Sequence, residues 1–343
     1  MNLQVQSPIP FMDLAIITVS YNTRDLLAES LQSALDGLRC SGLEGEAWVV
    51  DNGSSDGSAD MVRRRFPDVR LIATEENLGF AAGNNLALRT MGFSLDASGE
   101  PQSHSASSDG AAATANQVPR HILFLNPDTR VIGDALGIMV RFLDACPGVG
   151  VAGARLVHDD GSFQHSAFAF PGLAQIFFDF FPLHHRLLDS RLNGRYPRQW
   201  YEAGQPFPVD HPLGAALMVR RELLDRVGGF DERFFMYCEE IDLCRRVRMA
   251  GWEIRCVPEA EIVHLVGQST GQFRDRMFVA LWKSRFLMFE KYEGVVFRWA
   301  ARRLVRLGLW VEGRRARRAY RRREIDAAQL QGRLAAYQEV AAL

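Results

Sequence analysis

Cysteine is scarce in this chain, and its spacing excludes a disulfide or zinc framework. There are five, Cys40, Cys146, Cys238, Cys244 and Cys256, and no two stand at C-x-x-C spacing, so neither a zinc ribbon nor a dithiol redox motif is encoded. A reduced, cytosolic compartment is the expectation. Long apolar runs are missing too. Residues 14–19 are apolar but follow no positively charged leader, and they fall far short of the ~20 residues a membrane-spanning helix needs. The expectation is a protein that is soluble or attached to a membrane surface. No G-x-G-x-x-G follows a strand-like segment, which leaves a nicotinamide dehydrogenase without support. His158, His165, His184 and His185 have no metal-ligand spacing, and no internal repeat is visible.

With 343 residues, 47% of them hydrophobic and 24% charged, the chain is long enough for one large α/β domain with appendages, or for two domains. The net charge of −1 conceals an asymmetry. Between residues 298 and 323 stand eleven arginines, no lysine and one acid, Glu312, a local charge of +10 that leaves −11 for the remainder. An acidic body with a basic C-terminal arm follows.

Residues 14–19 (LAIITV) read as a buried parallel strand, and Leu26, Leu27, Leu31 and Leu35 recur at helical spacing behind the capping residues Asn22 and Thr23. A second strand at 47–50 ends in the turn cluster DNGSSDG, followed by a helix over 59–66 and a strand near 69–73. This alternation predicts a mostly parallel sheet flanked by helices, with ligands at the carboxyl ends of its strands. Residues 94–119 are rich in Ser, Ala, Gly and Asp and read as a flexible insertion, either without function or an acceptor-side lid. The strand 121–125 resumes the sheet. Helices are predicted near 176–181, at 222–227 and at 240–250, with strand-like segments at 252–257 and 261–265.

Asp51 and Asp128 each follow an apolar strand directly. Either can be a turn-former. Alternatively, Asp51 accepts hydrogen bonds from a nucleobase, and Asp128 offers oxygen to a hard divalent cation whose other ligands come from a diphosphate. Glu239, Glu240 and Asp242 crowd a predicted helix start. They complement the helix dipole, or they raise one another's pKa and supply a general base. His264, after another apolar strand, is a structural histidine or a ligand. In the arm, Trp299, Leu304, Leu307, Trp310 and Val311 interleave with arginine, as in an amphipathic helix that lies on an anionic bilayer or packs on the body. Nucleic-acid binding is not expected, because the acidic body would repel a phosphate backbone.

The ordered motifs IITVSYNT (16–23), VVDNGSSDGS (49–58), NLGFAAGNN (77–85), LFLNPDT (123–129), GAALMVRRELLDRVGGFDERFFMYCEEIDLCRR (214–246) and HLVGQST (264–270) together resemble the family 2 glycosyltransferases, especially bacterial rhamnosyltransferase-like members. The resemblance implies a GT-A fold over 1–275, with 94–119 as an insertion loop, and a helical, Arg-rich extension over 276–343. It implies that Ser20, Tyr21 and Asn22 border the nucleoside, that Asp51 binds the base, and that Asn77, Gly79, Phe80 and Asn84 line the nucleotide-sugar pocket. Asn126-Pro127-Asp128 matches the family's metal-binding Asp-x-Asp element. With Asn in the first place, Asp128 is the expected ligand of Mg²⁺ or Mn²⁺, Asn126 a neutral neighbour, and His264 a further ligand.

Glu239-Glu240 matches the family's Glu-Asp pair, so Glu240 is the expected base, with Glu239 and Asp242 as substitutes. His211, Gly214 and Ala215 fall on the acceptor side. The implied activity is inverting transfer of a sugar, with rhamnose from dTDP-rhamnose as the favoured donor, to a hydroxyl of a glycan or lipid-linked acceptor in O-antigen or other cell-surface polysaccharide synthesis. The implied location is the cytoplasm, with peripheral contact at the inner face of the membrane through 298–323. Two rivals remain. A sugar-nucleotide nucleotidyltransferase would carry a Gly-rich basic loop where this chain has Ser20-Tyr21-Asn22-Thr23-Arg24. A non-catalytic glycan-binding relative would not be expected to keep Asp51, Asp128 and Glu240.

Overall fold

The structure, a computed structural model, describes residues 12–95, 119–265 and 274–343. Most of the 94–119 insertion and the stretch Gly267-Gln268-Ser269-Thr270 lie outside the described residues.

The first half alternates strand and helix as expected: β1 (Met12–Ser20), α1 (Arg24–Ser41), β2 (Gly45–Asp51), α2 (Ser58–Arg65), β3 (Arg70–Ala73), α3 (Phe80–Thr90) and β4 (Pro119–Leu125). Then follow β5 (Thr129–Val131), α4 (Ala135–Ala145), β6 (Val149–Val157), β7 (Phe163–Gln164), β8 (Ala167–Phe168), α5 (Leu173–Phe180), α6 (His185–Leu188) and α7 (Arg198–Glu202). The remainder is β9 (Phe207–Pro208), β10 (His211–Pro212), β11 (Ala216–Arg220), α8 (Arg221–Val227), α9 (Glu239–Met249), β12 (Glu253–His264), α10 (Arg274–Tyr292), α11 (Val295–Arg321) and α12 (Ala327–Ala342).

The main sheet has the order β3-β2-β1-β4-β11-β6-β12-β5. Strands β3, β2, β1 and β4 run parallel, as do β6 and β12, but β11 is antiparallel to both β4 and β6, and β5 is antiparallel to β12. The sheet is therefore mostly parallel, as expected: six of the eight strands in this order run one way, and β11 and β5 run against them. Strand β11 (ALMVR) gives no sign of this in sequence, because a strand buried on both faces is uniformly apolar in either direction. The two segments expected at 252–257 and 261–265 are one strand, β12, whose register with β6 slips between Val257 and Glu261. Pro258 lies in that slip, where it has no N–H to give the ladder.

One face of the sheet packs under α1 and α4 through Leu38, Leu136, Met139 and Leu143; the other packs under α3, α8 and α9 through Leu88, Leu223, Leu243 and Val247. Helices α10, α11 and α12 form a further core around Trp282, Phe286 and Phe289, shared with Phe180 of α5, Phe234 and Ile241 of α9. No helix among the described residues is long and apolar enough to cross a membrane.

Candidate active site

The strand directions bring the singled-out residues to one edge. Ser20 pairs with Asp51 at the carboxyl ends of β1 and β2. β4 ends beside them, leading into Asn126-Pro127-Asp128. Because β11 is antiparallel, its start, Gly214-Ala215-Ala216, lies at the same edge, with Ala216 opposite Leu125. β12 arrives there with His264 paired to Thr129. The resulting cavity measures about 690 Å³. Tyr21, Asn77, Gly79, Phe80, Asn126, Asp128, Gly214, Ala215, Glu239, Glu240 and His264 all line it. Ser20, Asn22, Asp51, Asn84, His211 and Asp242 are not among its lining residues.

On one side, the turns after β1 and β2 are tied together. Asn22, at φ 53, accepts from the Ser55 N–H at 2.8 Å, while its own N–H donates to Ser54 Oγ at 2.9 Å. Ser20 is fully buried and shares a hydrogen bond with Thr23 at 2.9 Å. Asp51 accepts from the Ser54 N–H through Oδ2, while its buried Oδ1 has no hydrogen-bond partner. A buried carboxylate oxygen left in this state suits an incoming N–H donor such as a nucleobase. Asn84 is spent inside α3, donating to the Phe80 carbonyl at 2.9 Å. Gly79 has φ 85 and ψ 179, a region essentially closed to other residues, and a Cβ there would run into the Phe235 carbonyl. The Phe80 N–H donates to that same carbonyl at 2.8 Å.

At the floor, His264 Nε2 stands 3.6 Å from Asp128 Oδ1, both side chains being less than 10% exposed. Burial lowers the His264 pKa while Asp128 partly restores it. The imidazole is thus neutral at neutral pH, as ligation requires. Gln164, at the end of β7, puts its amide nitrogen 3.0 Å from His264 Nδ1, and its buried carbonyl oxygen has no partner. With the amide turned over, that oxygen would accept from Nδ1–H and leave Nε2 open to a cation. Among the described residues no cluster of three His, Cys, Asp or Glu side chains forms a complete metal cage. One carboxylate and one imidazole facing a roomy cavity match a cation completed by substrate phosphate oxygens.

Across the cavity, Tyr237 and Cys238 adopt left-handed backbone (φ 69 and 67) immediately before α9. This costly turn sets the helix's first carboxylates toward the cavity. Burial is the main cause that pushes Glu240 up to about 7; the same burial, reinforced by Glu240, pushes Glu239 well above the ordinary range. One oxygen of each has no hydrogen-bond partner. The Glu240 side chain rests against Gly214, where a Cβ would come to 3.5 Å.

Asp242 faces the other way. It is fully buried and bound by Arg246 (2.9 Å), Lys291 (2.5 Å) and Tyr292 (2.7 Å), with Lys291 continuing to Asp231 at 2.9 Å. It cannot serve as a substitute base, because the α9 spiral turns it away from its neighbours and onto α10. His211, expected on the acceptor side, is stacked against Phe168 and Phe170 and makes its Nδ1 hydrogen bond to the Pro212 carbonyl. It does not line the cavity. Gln164, Asn52, Met236, Tyr237 and Arg276 line the cavity without having been singled out. Only Asn52 had a sequence signal, its place directly after Asp51.

Comparison with known proteins fits this geometry. Residues 15–91 match the model of glycosyl transferase family 2. Over 289 residues the chain is 29% identical to an N-acetylglucosaminyl-diphospho-decaprenol L-rhamnosyltransferase of Mycobacterium tuberculosis, spanning 81% of this chain and 86% of that protein. It is 29% identical to rhamnosyltransferase WbbL of Escherichia coli (strain K12), over 48% of this chain and 60% of that one. The solved mannosyltransferase PcManGT from Pyrobaculum calidifontis, in complex with GDP-Man and Mn²⁺, superposes with a TM-score of 0.52 over 98% of this chain and 87% of that one, at 19% identity. That likeness is one of fold. The chain thus matches glycosyl transferase family 2 over residues 15–91, is similar to bacterial rhamnosyltransferases, to one of them over most of its length, and has the GT-A fold.

Proposed function

We propose that this enzyme is a metal-dependent, inverting transferase that moves rhamnose from dTDP-rhamnose to a hydroxyl of a lipid-linked glycan in cell-surface polysaccharide assembly. The observation that carries the reading is the pair of walls: Asp128 beside His264 on one, and the buried Glu239-Glu240 carboxyls, with raised pKa, on the other. The donor class and the acceptor class rest on the names of the two bacterial relatives, both rhamnosyltransferases, one of them naming a diphospho-decaprenol.

In this reading Asp51 accepts from the base and the Asn77–Phe80 loop cups the nucleotide. Asp128 and His264 would hold Mg²⁺ or Mn²⁺, which, when bound, would offset the negative charge of the diphosphate leaving group. Glu240 takes the proton from the acceptor hydroxyl as its oxygen attacks the anomeric carbon. Burial and the neighbouring Glu240 both raise the pKa of Glu239, which disfavours a second negative charge in the pocket, and Gly214 leaves room beside Glu240 for the acceptor. A single in-line displacement inverts the anomeric centre.

The test offers dTDP-, UDP- and GDP-sugars with a prenyl-diphospho-N-acetylglucosamine acceptor, with Mn²⁺ or chelator, and reads the product's anomeric configuration by NMR. Transfer only with a metal and only with inversion is expected. Full activity in chelator, or retention, would defeat the proposal.

A further inference from the structure

Helix α11 has two unlike faces. Inward, Ala301, Val305, Gly308, Leu309, Gly313 and Ala316 are buried. Gly308 lies so close under the Phe180 ring that no Cβ fits, and Arg315 donates to the Phe180 carbonyl at 3.1 Å. The helix is therefore clamped to the body on this side.

The outward side presents Val295, Val296, Trp299, Leu307 and Trp310, all more than 50% exposed. At 100° per residue they share an arc of roughly a third of the helix with Arg303, Arg306, Arg314, Arg317 and Arg321, all exposed. None of these five arginines forms an ion pair among the described residues, whereas Arg302 and Arg315, toward the helix flanks, pair with Glu290 and Glu312. The one acid of the helix, Glu312, lies away from this arc. The Arg303 and Arg314 guanidinium groups sit over the Trp299 and Trp310 rings at 5.6 and 4.9 Å. Over 27 residues the stripe is about 40 Å long.

We propose that this face of α11 lies along the surface of an anionic bilayer. Its tryptophans and valines would sit at the boundary of headgroups and acyl chains, and its unpaired arginines on lipid phosphates. The chemistry favours this partner over a polynucleotide. The apolar ridge gains nothing from a phosphate backbone, whereas the headgroup–acyl boundary of an anionic bilayer offers a partner both to that ridge and to the arginines beside it. The inference goes beyond the transferase reading and does not depend on it, since it concerns binding without donor or acceptor.

The test is flotation of the full-length protein with vesicles of phosphatidylcholine alone and with 30% phosphatidylglycerol. The wild type should float only with the anionic vesicles, and less at high salt. Arg303→Gln, Arg306→Gln and Arg314→Gln should each weaken binding about fivefold. Trp299→Ala with Trp310→Ala should weaken it without altering its salt dependence. Circular dichroism and donor affinity should stay at wild-type values in all of them, which separates a lost surface from a lost fold. Equal binding to both vesicle types, no binding to either, or tighter binding to an oligonucleotide than to anionic vesicles would overturn the proposal.

Discussion

Replacing Glu240 with glutamine keeps the shape of the side chain and removes one ionisable proton, so it separates the cost of the buried carboxyl from its use. Burial raises this carboxyl from 4.5 to about 7. At about 1.4 kcal/mol per unit, holding it charged in the folded state costs on the order of 3 kcal/mol. The sign follows from proton counting. Between these two values the folded protein holds a proton that the unfolded chain has lost, so wild-type stability falls as pH rises from about 4.5 to about 7 and is level above. Glu240→Gln has no such loss. Urea unfolding at pH 5 and at pH 8 should show nearly equal stability at the lower pH and a variant more stable by about 3 kcal/mol at the higher. Over the same window wild-type kcat should climb toward a plateau above pH 7. The variant should be slower by about 10²–10⁴ and flat with pH, as expected when a general base is removed. A variant no more stable at pH 8, or one that keeps the wild-type pH profile, would refute the reasoning.

Two further substitutions probe how the cavity is held. Gly79→Ala forces a side chain into a backbone region that is essentially glycine's alone and into the Phe235 carbonyl; it should cost roughly 1–3 kcal/mol in urea unfolding and weaken donor binding, because the loop carrying Asn77 and Phe80 must shift. Lys291→Met strips the shared cation from Asp231 and the fully buried Asp242 and should destabilise by about 3 kcal/mol. Pairing it with Asp242→Asn should recover part of that loss in the same measurement, whereas an additive double variant would show the two groups uncoupled.

The strand ends were legible because burial on both faces writes a short run of β-branched and apolar residues, and the turns behind them write polar punctuation. That suffices to mark Asp51 and Asp128 and the first half of the sheet. What escaped depends on partners distant in sequence. Gln164 meets His264 only because β7 folds back on β6 and β12 lies alongside it, and an isolated glutamine carries no signal of such a contact. Asp242 looked equivalent to Glu239 and Glu240, since a helix's first turn attracts acids whatever their use; its partners, Lys291 and Tyr292, come from another helix. The antiparallel sense of β11 is likewise invisible in an unbroken apolar run. In the arm, composition revealed the charge, but the division of α11 into a clamped and an open face required the packing of Phe180.

The division of labour across the cavity is tested most directly by titrating dTDP-rhamnose, with Mn²⁺ present, into the Asp128→Ala and Glu240→Gln enzymes by calorimetry. With the donor diphosphate at the Asp128–His264 wall and the acceptor at the Glu240 wall, Asp128→Ala should bind the donor about tenfold or more weakly. Glu240→Gln should bind it as the wild type does while failing to transfer. Undiminished donor binding by Asp128→Ala, or its loss in Glu240→Gln, would contradict the assignment of the two walls.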